Sequence, residues 1–424
     1  MTSAPGGPSN GTAPATVLRP VSGQDAGFDP DGLARVDEVV RGALDIVFPA
    51  AALLVARGGG VVLHRAYGFL DPDRRGRPVA TGSLFDLASV TKLFTATAFM
   101  TLVEGGQVSL DTPVAQVLPE FDGVRPIGPA EDPITKRPLP PDPAFAGREI
   151  DARQVTFWHL LTHTSGLAAW GGLYREESGG DAPVPLPHQV SPERRGRRIA
   201  AITRRYGFAY PPGERLVYSD LGLILLGEAA ARLSGMPLDA LVQCAVLDPL
   251  GLAHTAYNPL ARGITPDCLV PTEFCAWRER RCLGEVHDEN AAGLGGIAGH
   301  AGLFSTAWEV AVLGQTYLNG GCYDGVRVLS PGTVAEMTRV HVDPGDNPRA
   351  LAWLQRSRQG SSSGRWFGPR SYGHTGYTGT SLWVDPDRAL VVALLTNRVY
   401  GGRDPAGIAA FRPRLHDAVV EAMR

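Results

Sequence analysis

Lysine is almost absent from this sequence. Of the 40 lysine and arginine residues, only Lys92 and Lys136 are lysines, so arginine carries nearly all of the positive charge. Arginine stays protonated in proteins and does not serve as a base. A lysine that falls within a motif is therefore informative in this chain, because an arginine at that position would not do the same chemistry.

Long runs of one charge sign and long apolar runs are also missing. The 43 acidic residues nearly balance the basic ones, which leaves a net charge of −3. This balance argues against nucleic acid and against an anionic membrane surface as partners. No apolar stretch is long enough to span a bilayer. Residues 1–20 lack the basic start and apolar core of a secretory signal, so we expect a cytoplasmic location.

Cysteine is scarce, with five residues and no C-x-x-C pair, which argues against a disulfide framework. Cys268, Cys275 and Cys282 recur at intervals of seven, and His287 follows them. This spacing fits no standard zinc pattern, and isolated reduced thiols are the favoured interpretation. We predict neither a metal nor another cofactor.

Several common catalytic motifs are absent as well. The chain has no G-x-S-x-G elbow, no H-E-x-x-H, no P-loop and no G-x-G-x-x-G after a predicted strand. His163, His287 and His300 have no assigned role at this level. Buried structural histidines are the favoured interpretation, and a Ser-His-Asp triad stays open.

The order of predicted elements indicates an α+β fold. Residues 1–27 are rich in small and polar residues and predict a disordered tail. A helix at 30–48 and strands at 50–56 and 61–67 follow it, and strands return near 380–384 and 389–396 before a last helix at 406–423. We therefore predict an antiparallel sheet flanked by helices, built from 28–85 and 345–424. An all-helical domain, 86–344, is inserted between them and contains excursion loops at 123–150 and 170–196.

A serine and a lysine three residues apart form the first chemical motif. Ser89-Val90-Thr91-Lys92 opens a segment whose apolar residues recur at spacings of three and four, which predicts a helix ending at the Gly105-Gly106 pair. Residues three apart lie on one helix face, so the amine reaches the hydroxyl. A serine needs an adjacent base to become a nucleophile, and lysine is that base only when its pKa is lowered. The alternative is an ordinary surface lysine.

A second motif, Tyr218-Ser219-Asp220, follows a Pro-Pro-Gly stop and opens a helix at 223–233. A tyrosine near Lys92 would lose its proton more easily, because a neighbouring cation favours the phenolate. Tyr218 would then relay a proton from Ser89 to a leaving group. The structural alternative is a helix cap made by Ser219 or Asp220, with Tyr218 as packing.

A third motif, His374-Thr375-Gly376, precedes a predicted strand. Its glycine lets a backbone edge lie close to a bound substrate. The N–H groups of Tyr377 and Ser89 would then form an oxyanion hole. The structural alternative is a turn at the entry of the strand, with a hydrogen-bonded histidine.

These three motifs, in this order and with these wide spacings, resemble the S-x-x-K, Y-x-N and K/H-T-G motifs of the superfamily of class C β-lactamases, D,D-peptidases and esterases. The resemblance covers about residues 28–422. It extends to segments 160–167, 286–290 and 299–305, the last two of which resemble one branch of serine hydrolases.

The resemblance implies that Ser89 is the acylated nucleophile, Lys92 its base partner and Tyr218 the proton relay. Asp220, His374, Thr375 and Gly376 would line the substrate. It also implies a helix-flanked antiparallel sheet with an all-helical domain, and an active site between them.

Two departures from the superfamily pattern bear on the substrate. Asp220 replaces the usual asparagine, and His374 replaces the lysine that attracts a substrate carboxylate in β-lactamases. Both changes argue against an anionic β-lactam. We therefore predict a serine hydrolase of carboxylic esters. The alternatives are an amide hydrolase, such as a β-lactamase, D,D-carboxypeptidase or D-amino-acid peptidase, and a non-catalytic binding protein of the same fold. The oligomeric state stays open.

Overall fold

The computed structural model describes residues 16–175, 184–204 and 206–424. The predicted disordered tail 1–27 is wrong at its C-terminal end, because Arg19–Pro20 form an edge strand paired with Gly60 and Val61. Pairing with a partner some forty residues away stabilises this short strand, which has no local sequence signal of its own. Residues 1–15 lie outside the described residues, as does the stretch 176–183 of the predicted loop 170–196.

The central sheet has seven strands: β1 (Arg19–Pro20), β2 (Ala50–Arg57), β3 (Gly60–Gly68), β4 (Leu354–Gln355), β5 (Tyr372–Thr375), β6 (Ser381–Asp385) and β7 (Leu390–Thr396). Their order is β1-β3-β2-β7-β6-β5-β4. All neighbours are antiparallel except β1 and β3. The two ends of the chain meet where β2 pairs with β7, with Leu54 opposite Ala393.

Successive residues of β2 enter two different cores. Leu53 and Val55 belong to a cluster with the first and last helices, whereas Leu54 and Ala56 belong to the larger cluster that contains the middle of the chain. Side chains alternate between the faces of a strand, and here both faces are covered. The run Ala50–Arg57 is therefore apolar almost throughout, and the sheet lies between two layers of helices.

The helices are α1 (Pro30–Arg41), α2 (Thr91–Glu104), α3 (Val114–Val117), α4 (Phe157–Leu161), α5 (Pro192–Arg204), α6 (Asp220–Ser234), α7 (Leu238–Val242), α8 (Glu289–Gly293), α9 (Ala307–Leu318), α10 (Pro331–Thr338) and α11 (Ala406–Glu421). Helices α1 and α11 pack on each other over one face of the sheet, and α9 packs on the other. Helix α2 packs mainly against α6.

The predicted fold class is confirmed: the chain forms an antiparallel sheet flanked by helices, with a mainly helical segment between its strands. That segment also holds short strands, which no local pattern indicated. They are Phe85–Asp86, Val124–Pro126, Ala130–Glu131, Pro138–Leu139, Glu149–Asp151, Ala256–Tyr257, Phe274–Cys275, Arg280–Arg281, Leu303–Ser305, Cys322–Tyr323 and Val326–Arg327. In addition, α9 comes from the predicted helical domain but packs on the sheet.

The first helix is shorter than predicted. It ends at Arg41, with Gly42 as its C-cap, although apolar residues continue at helical spacing to residue 47. In the described ranges no single helix is long and apolar enough to cross a bilayer. One pair, Asp220–Ser234 and Leu238–Leu247, meets the length and composition criteria together, but it is bent by 79°.

Candidate active site

Ser89 lies where a short strand turns into a helix. The 3-10 turn Ala88–Val90 leads directly into α2. Ala88 has a φ of 45°, a left-handed conformation that side-chain-bearing residues disfavour. The Asp86 carboxylate holds this turn by accepting a hydrogen bond from the Ala88 N–H at 2.8 Å. Such local strain is typical of functional sites, and here it places Ser89 on the wall of a pocket.

Lys92 is the second residue of α2, three residues after Ser89, and is fully buried. Its Nζ is 2.9 Å from Ser89 Oγ and donates to the backbone oxygen of His300 at 3.1 Å. The same nitrogen is 2.8 Å from Asp220 Oδ1. Oxygen atoms of Ser89, His300 and Asp220 therefore lie around this nitrogen, which suits an ammonium with its three N–H donors.

The charge state of Lys92 differs from the expected one. Burial alone would lower the pKa of Lys92, but the Asp220 carboxylate and then Tyr218 outweigh it, so the pKa lies above its usual value. Lys92 is therefore an ammonium in the resting protein, and the expectation of an unprotonated amine is wrong. The cause is Asp220, because the asparagine usual at this position carries no charge.

Tyr218 meets Ser89 and Lys92 although it lies far along the chain. Its ring centroid is 4.9 Å from Lys92 Nζ, and its phenol interacts with both Lys92 and Ser89. Burial raises the pKa of Tyr218 and outweighs the neighbouring cation. The expected lowering of this pKa is therefore also wrong, and Tyr218 rests as a neutral phenol.

His163, which had no role in the sequence analysis, holds Tyr218 in place. Its ring centroid lies 4.6 Å from that of Tyr218, and its Nδ1 accepts a hydrogen bond from the Ser219 N–H at 3.1 Å. Ser219 in turn caps α6 by accepting from the Gly222 N–H. The capping alternative for this motif is thus present together with the chemical one, because different residues of the motif carry them.

Asp220 lines the pocket, but its carboxylate is engaged by Lys92. The structure therefore brings Asp220 to the predicted place with a partner that the sequence analysis did not foresee. A contact between Asp220 and a substrate stays a prediction.

The third motif forms one wall of the same pocket. His374 and Thr375 end strand β5, and Gly376 follows. A Cβ atom on Gly376 would lie 2.6 Å from the backbone oxygen of Leu87, so only glycine permits this close approach to the Ser89 turn. The Tyr377 N–H donates no hydrogen bond to any of the described residues. The oxyanion hole formed by Ser89 and Tyr377 stays a prediction that this arrangement permits.

His374 is a neutral imidazole. Burial lowers its pKa far below the usual value, and the charges of Lys92 and Arg349 lower it further. Its Nδ1 lies 2.8 Å from the backbone oxygen of Thr375, so we assign the proton to that nitrogen. Nε2 is then an acceptor, and it has no partner among the described residues.

Arg349 is a pocket residue that no motif indicated. It is only 6% exposed, and its guanidinium lies 5.9 Å from the Tyr218 ring centroid. Nε and Nη1 have no hydrogen-bond partner among the described residues. Burial lowers the pKa of Arg349 to about 10, so it still carries a charge at neutral pH.

The two unassigned histidines of the 286–305 region line the pocket, and each of them pairs with a carboxylate. His300 Nε2 is 2.8 Å from Asp288 Oδ1, and His287 Nε2 is 3.2 Å from Glu273 Oε1. The His287 N–H also donates to Asp86, at 2.5 Å, which links this region to the Ser89 turn. Neither histidine side chain hydrogen-bonds to Ser89, so neither forms a Ser-His-Asp triad with it.

Among the described residues, two groups of side chains have ligand atoms close enough together to hold a metal ion: Asp220 with Asp288 and His300, and Glu273 with Cys275 and Glu289. Each group already has a cationic partner. Lys92 pairs with the first, and Arg403 pairs with both glutamates of the second. Cys268, the first cysteine of the seven-residue spacing, is exposed and outside both groups.

The pocket that joins these residues has a volume of about 550 Å³. Ser89 and Tyr218 lie on its wall together with the third motif. The site thus combines a serine hydroxyl, a tyrosine phenol and a buried ammonium, an arrangement that suits acyl transfer at a carbonyl carbon.

Comparisons with known proteins agree with this site. A model of the beta-lactamase family matches residues 36–413, and the chain therefore belongs to the beta-lactamase family. A relative from Salmonella agona, named "Putative D-alanyl-D-alanine carboxypeptidase", is 30% identical over 405 residues, which cover 90% of this chain and 86% of that protein. The chain is accordingly a serine hydrolase of the beta-lactamase fold.

Two solved structures show the same fold. Simvastatin synthase from Aspergillus terreus has a TM-score of 0.67 and 18% identity, with 92% of this chain and 98% of that chain covered. EstCE1, described as a hydrolase with promiscuous acyltransferase activity, has a TM-score of 0.64 and 22% identity, with 90% and 99% covered.

Proposed function

We propose that this protein hydrolyses carboxylic esters through an acyl-enzyme on Ser89. The observation that carries the proposal is that Ser89 and Tyr218 meet on the wall of one pocket, with the buried Lys92 Nζ 2.9 Å from Ser89 Oγ. EstCE1, described as a hydrolase with promiscuous acyltransferase activity, has the same fold and supports the proposal.

The proton pathway follows from the resting charges. Ser89 Oγ attacks the carbonyl carbon and gives its proton to the Tyr218 oxygen, which passes its own proton to the leaving oxygen. The Lys92 ammonium stabilises the negative charge that develops on the serine and the phenol during this transfer. Water then attacks the acyl-enzyme, and the same groups move protons in the reverse direction. No free base is required, because one proton enters the relay as another leaves.

A second candidate function is cleavage of a D-alanyl-D-alanine peptide. Arg349 favours it, because a buried guanidinium without a partner, next to the relay tyrosine, suits the carboxylate of a departing amino acid. The name of the 30% identical relative supports this candidate as well. Arg349 supplies the cation that His374, being neutral, does not.

The test is a comparison of two substrates on three proteins. We expect the wild type to hydrolyse 4-nitrophenyl butyrate, Ser89→Ala to lose about a thousandfold or more of kcat, and Ser109→Ala, an exposed serine outside the pocket, to match the wild type. Equal ester hydrolysis by wild type and Ser89→Ala would refute the proposal. Faster turnover of diacetyl-L-Lys-D-Ala-D-Ala than of the ester would instead support the peptidase function.

A neutral fluorophosphonate separates both candidates from a non-catalytic protein of the same fold. Labelling of Ser89 in the wild type supports an enzyme. Absence of labelling, in a protein whose circular dichroism shows it folded, would favour the binding protein.

A further inference from the structure

Lys136, the second lysine of this chain, lines the same pocket as Ser89. Lys92 is part of the relay, whereas Lys136 comes from the tip of an exposed hairpin whose strands are Ala130–Glu131 and Pro138–Leu139. Residues 133–135 and 137 of that tip are exposed, whereas Lys136 is half-buried. Pro133 and Ile134 also reach the wall of the pocket. Its φ of 58° is a left-handed conformation, closed by a hydrogen bond from the Lys136 N–H to the backbone oxygen of Asp132 at 2.9 Å.

The inward lysine covers a tryptophan. Lys136 Nζ lies 3.5 Å from the ring centroid of Trp170, a close cation–π contact. The Asp288 and Glu289 carboxylates also act on it electrostatically, and both line the pocket. Lys136 nevertheless forms no ion pair with any carboxylate in the described part of the chain. Its ammonium therefore lies in a negative field in front of an aromatic face.

The rest of the protein holds these acidic groups in place without Lys136. Asp288 accepts hydrogen bonds from the Ala291 N–H at 2.7 Å and from His300. Glu289 accepts from Arg403 at 2.6 Å. Because their positions come from these contacts, the aromatic face and its carboxylates persist when the lysine moves away.

Lys136 itself is held less firmly. Burial lowers its pKa, against the raising effect of Glu289 and Asp288. Its hairpin is anchored by only two short strands, and the backbone at its tip is in a disfavoured region. Movement of the lysine out of the pocket would therefore leave the sheet and α2 in place.

We propose that Trp170, Asp288 and Glu289 form an ammonium-binding subsite of the catalytic pocket, which Lys136 fills when no substrate is bound. The ligand class is a primary ammonium group carried by the substrate near its scissile bond. This proposal rests on the proposed function in one respect: the ammonium group belongs to the substrate that Ser89 attacks. An aromatic face flanked by carboxylates is the chemistry that recognises such a cation.

The opposite role for Lys136 makes a different prediction. If Lys136 served as an anchor for a substrate anion, its loss would weaken the binding of carboxylates and leave amines unaffected. If it occupies a cation subsite, its loss opens that subsite to amines. Three ligands of equal length, n-pentylamine, pentan-1-ol and pentanoate, therefore separate the two roles.

Binding is measured by isothermal titration calorimetry in the Ser89→Ala background, so that the result does not depend on turnover. We expect Lys136→Met to bind n-pentylammonium about tenfold more tightly than the parent does, with pentan-1-ol unchanged. Lys136→Arg keeps a cation in the subsite and should show no gain. Arg137→Met removes a charge from the same hairpin on its exposed side and serves as the matched control.

Two further variants locate the site. In the Lys136→Met background, Asp288→Asn and Trp170→Leu should each remove most of the gain. Equal affinity of Lys136→Met and its parent for n-pentylammonium would overturn the proposal, as would a gain that survives both of these substitutions. Pentanoate binding that is lost in Lys136→Met would overturn it too, in favour of the anion anchor. Fluorophosphonate labelling of Ser89 in the Lys136→Met protein reports separately on the proposed function.

Discussion

Asp220 and Lys92 set the charge of the active site at the scale of single residues. Their contact of 2.8 Å raises the pKa of a lysine that burial alone would neutralise. The relay then consists of two neutral hydroxyl groups beside a fixed cation. Lys92 supplies electrostatic stabilisation in this account, and Tyr218 moves the proton.

Asp220→Asn tests the charge of Lys92. The substitution removes the main cause that raises the pKa of Lys92, so burial dominates and the pKa falls. The functional ammonium is then lost as pH rises through the lower value, and the alkaline limb of kcat/KM should move down by about one pH unit or more. The measurement is a pH profile with 4-nitrophenyl butyrate.

The control for this profile is Asp122→Asn, an exposed carboxylate outside the pocket. A different result would contradict the account: if activity of Asp220→Asn rose at neutral pH because an acid limb had moved down, the free amine of Lys92 would be the base.

At the scale of elements, the site depends on how closely strand β5 and the Ser89 turn approach each other. Thr378 and Thr380, just beyond β5, donate hydrogen bonds to the backbone oxygens of Asp86 and Leu87, at 2.8 and 3.0 Å. Gly376 lies at the contact itself. The wall of the pocket and its nucleophile are therefore fixed to each other by backbone groups.

Gly376→Ala should separate them. The added Cβ would meet the Leu87 oxygen at 2.6 Å and Thr380 Oγ1 at 2.0 Å, and one of these groups has to move. We expect kcat/KM to fall about a hundredfold, since a small displacement of the nucleophile has large effects on acyl transfer. Gly401→Ala, where an added Cβ meets nothing within 4 Å, is the matched control. Equal activity of the two variants would show that the close approach is not needed.

The sequence patterns predicted the helices and strands that have a local signature in the sequence. The hairpin of β2 and β3 and the helices α2 and α11 follow from periodicity and glycine placement. Ser89 was predicted to open helix α2, but it lies in the 3-10 turn just before α2. Helix α1 was predicted too long, because its apolar spacing continues beyond the Gly42 cap.

Only some of the residues that line the pocket could be predicted from the sequence, and the reason is physical. Its three motifs have short sequence signatures. Arg349, Trp170 and Asp288 come together only through the tertiary fold, and single residues of this kind leave no periodic signal. Lys136 had one usable sign, the scarcity of lysine in the chain.

At the scale of the whole molecule, the sheet separates two cores, one built on α1 and α11 and one that extends into the helical segment. The pocket lies beside β5 and the start of α2, whereas β2 contributes no residue to it. Residues of β2 should therefore affect stability rather than chemistry. A cytoplasmic location stays a prediction.

Leu53→Ala tests this separation. Leu53 is fully buried in the core with α1 and α11, so its truncation should lower the free energy of unfolding by about 2–5 kcal/mol. We expect kcat/KM per folded molecule to stay near that of the wild type. Urea denaturation and active-site titration measure the two quantities. Ile46→Ala, at a side chain that is 81% exposed, should change stability by less than about 0.5 kcal/mol. Loss of activity in folded Leu53→Ala would contradict the separation.

The proposed mechanism requires a covalent bond between the acyl group of the substrate and Ser89. Rapid-quench intact-mass spectrometry during turnover of 4-nitrophenyl butyrate, followed by peptide mapping, measures that bond directly. We expect a single butyryl adduct that maps to Ser89, accumulates before steady state and is absent from Ser89→Ala. Turnover of the ester with no adduct at any time, or an adduct on another residue that persists in Ser89→Ala, would contradict it.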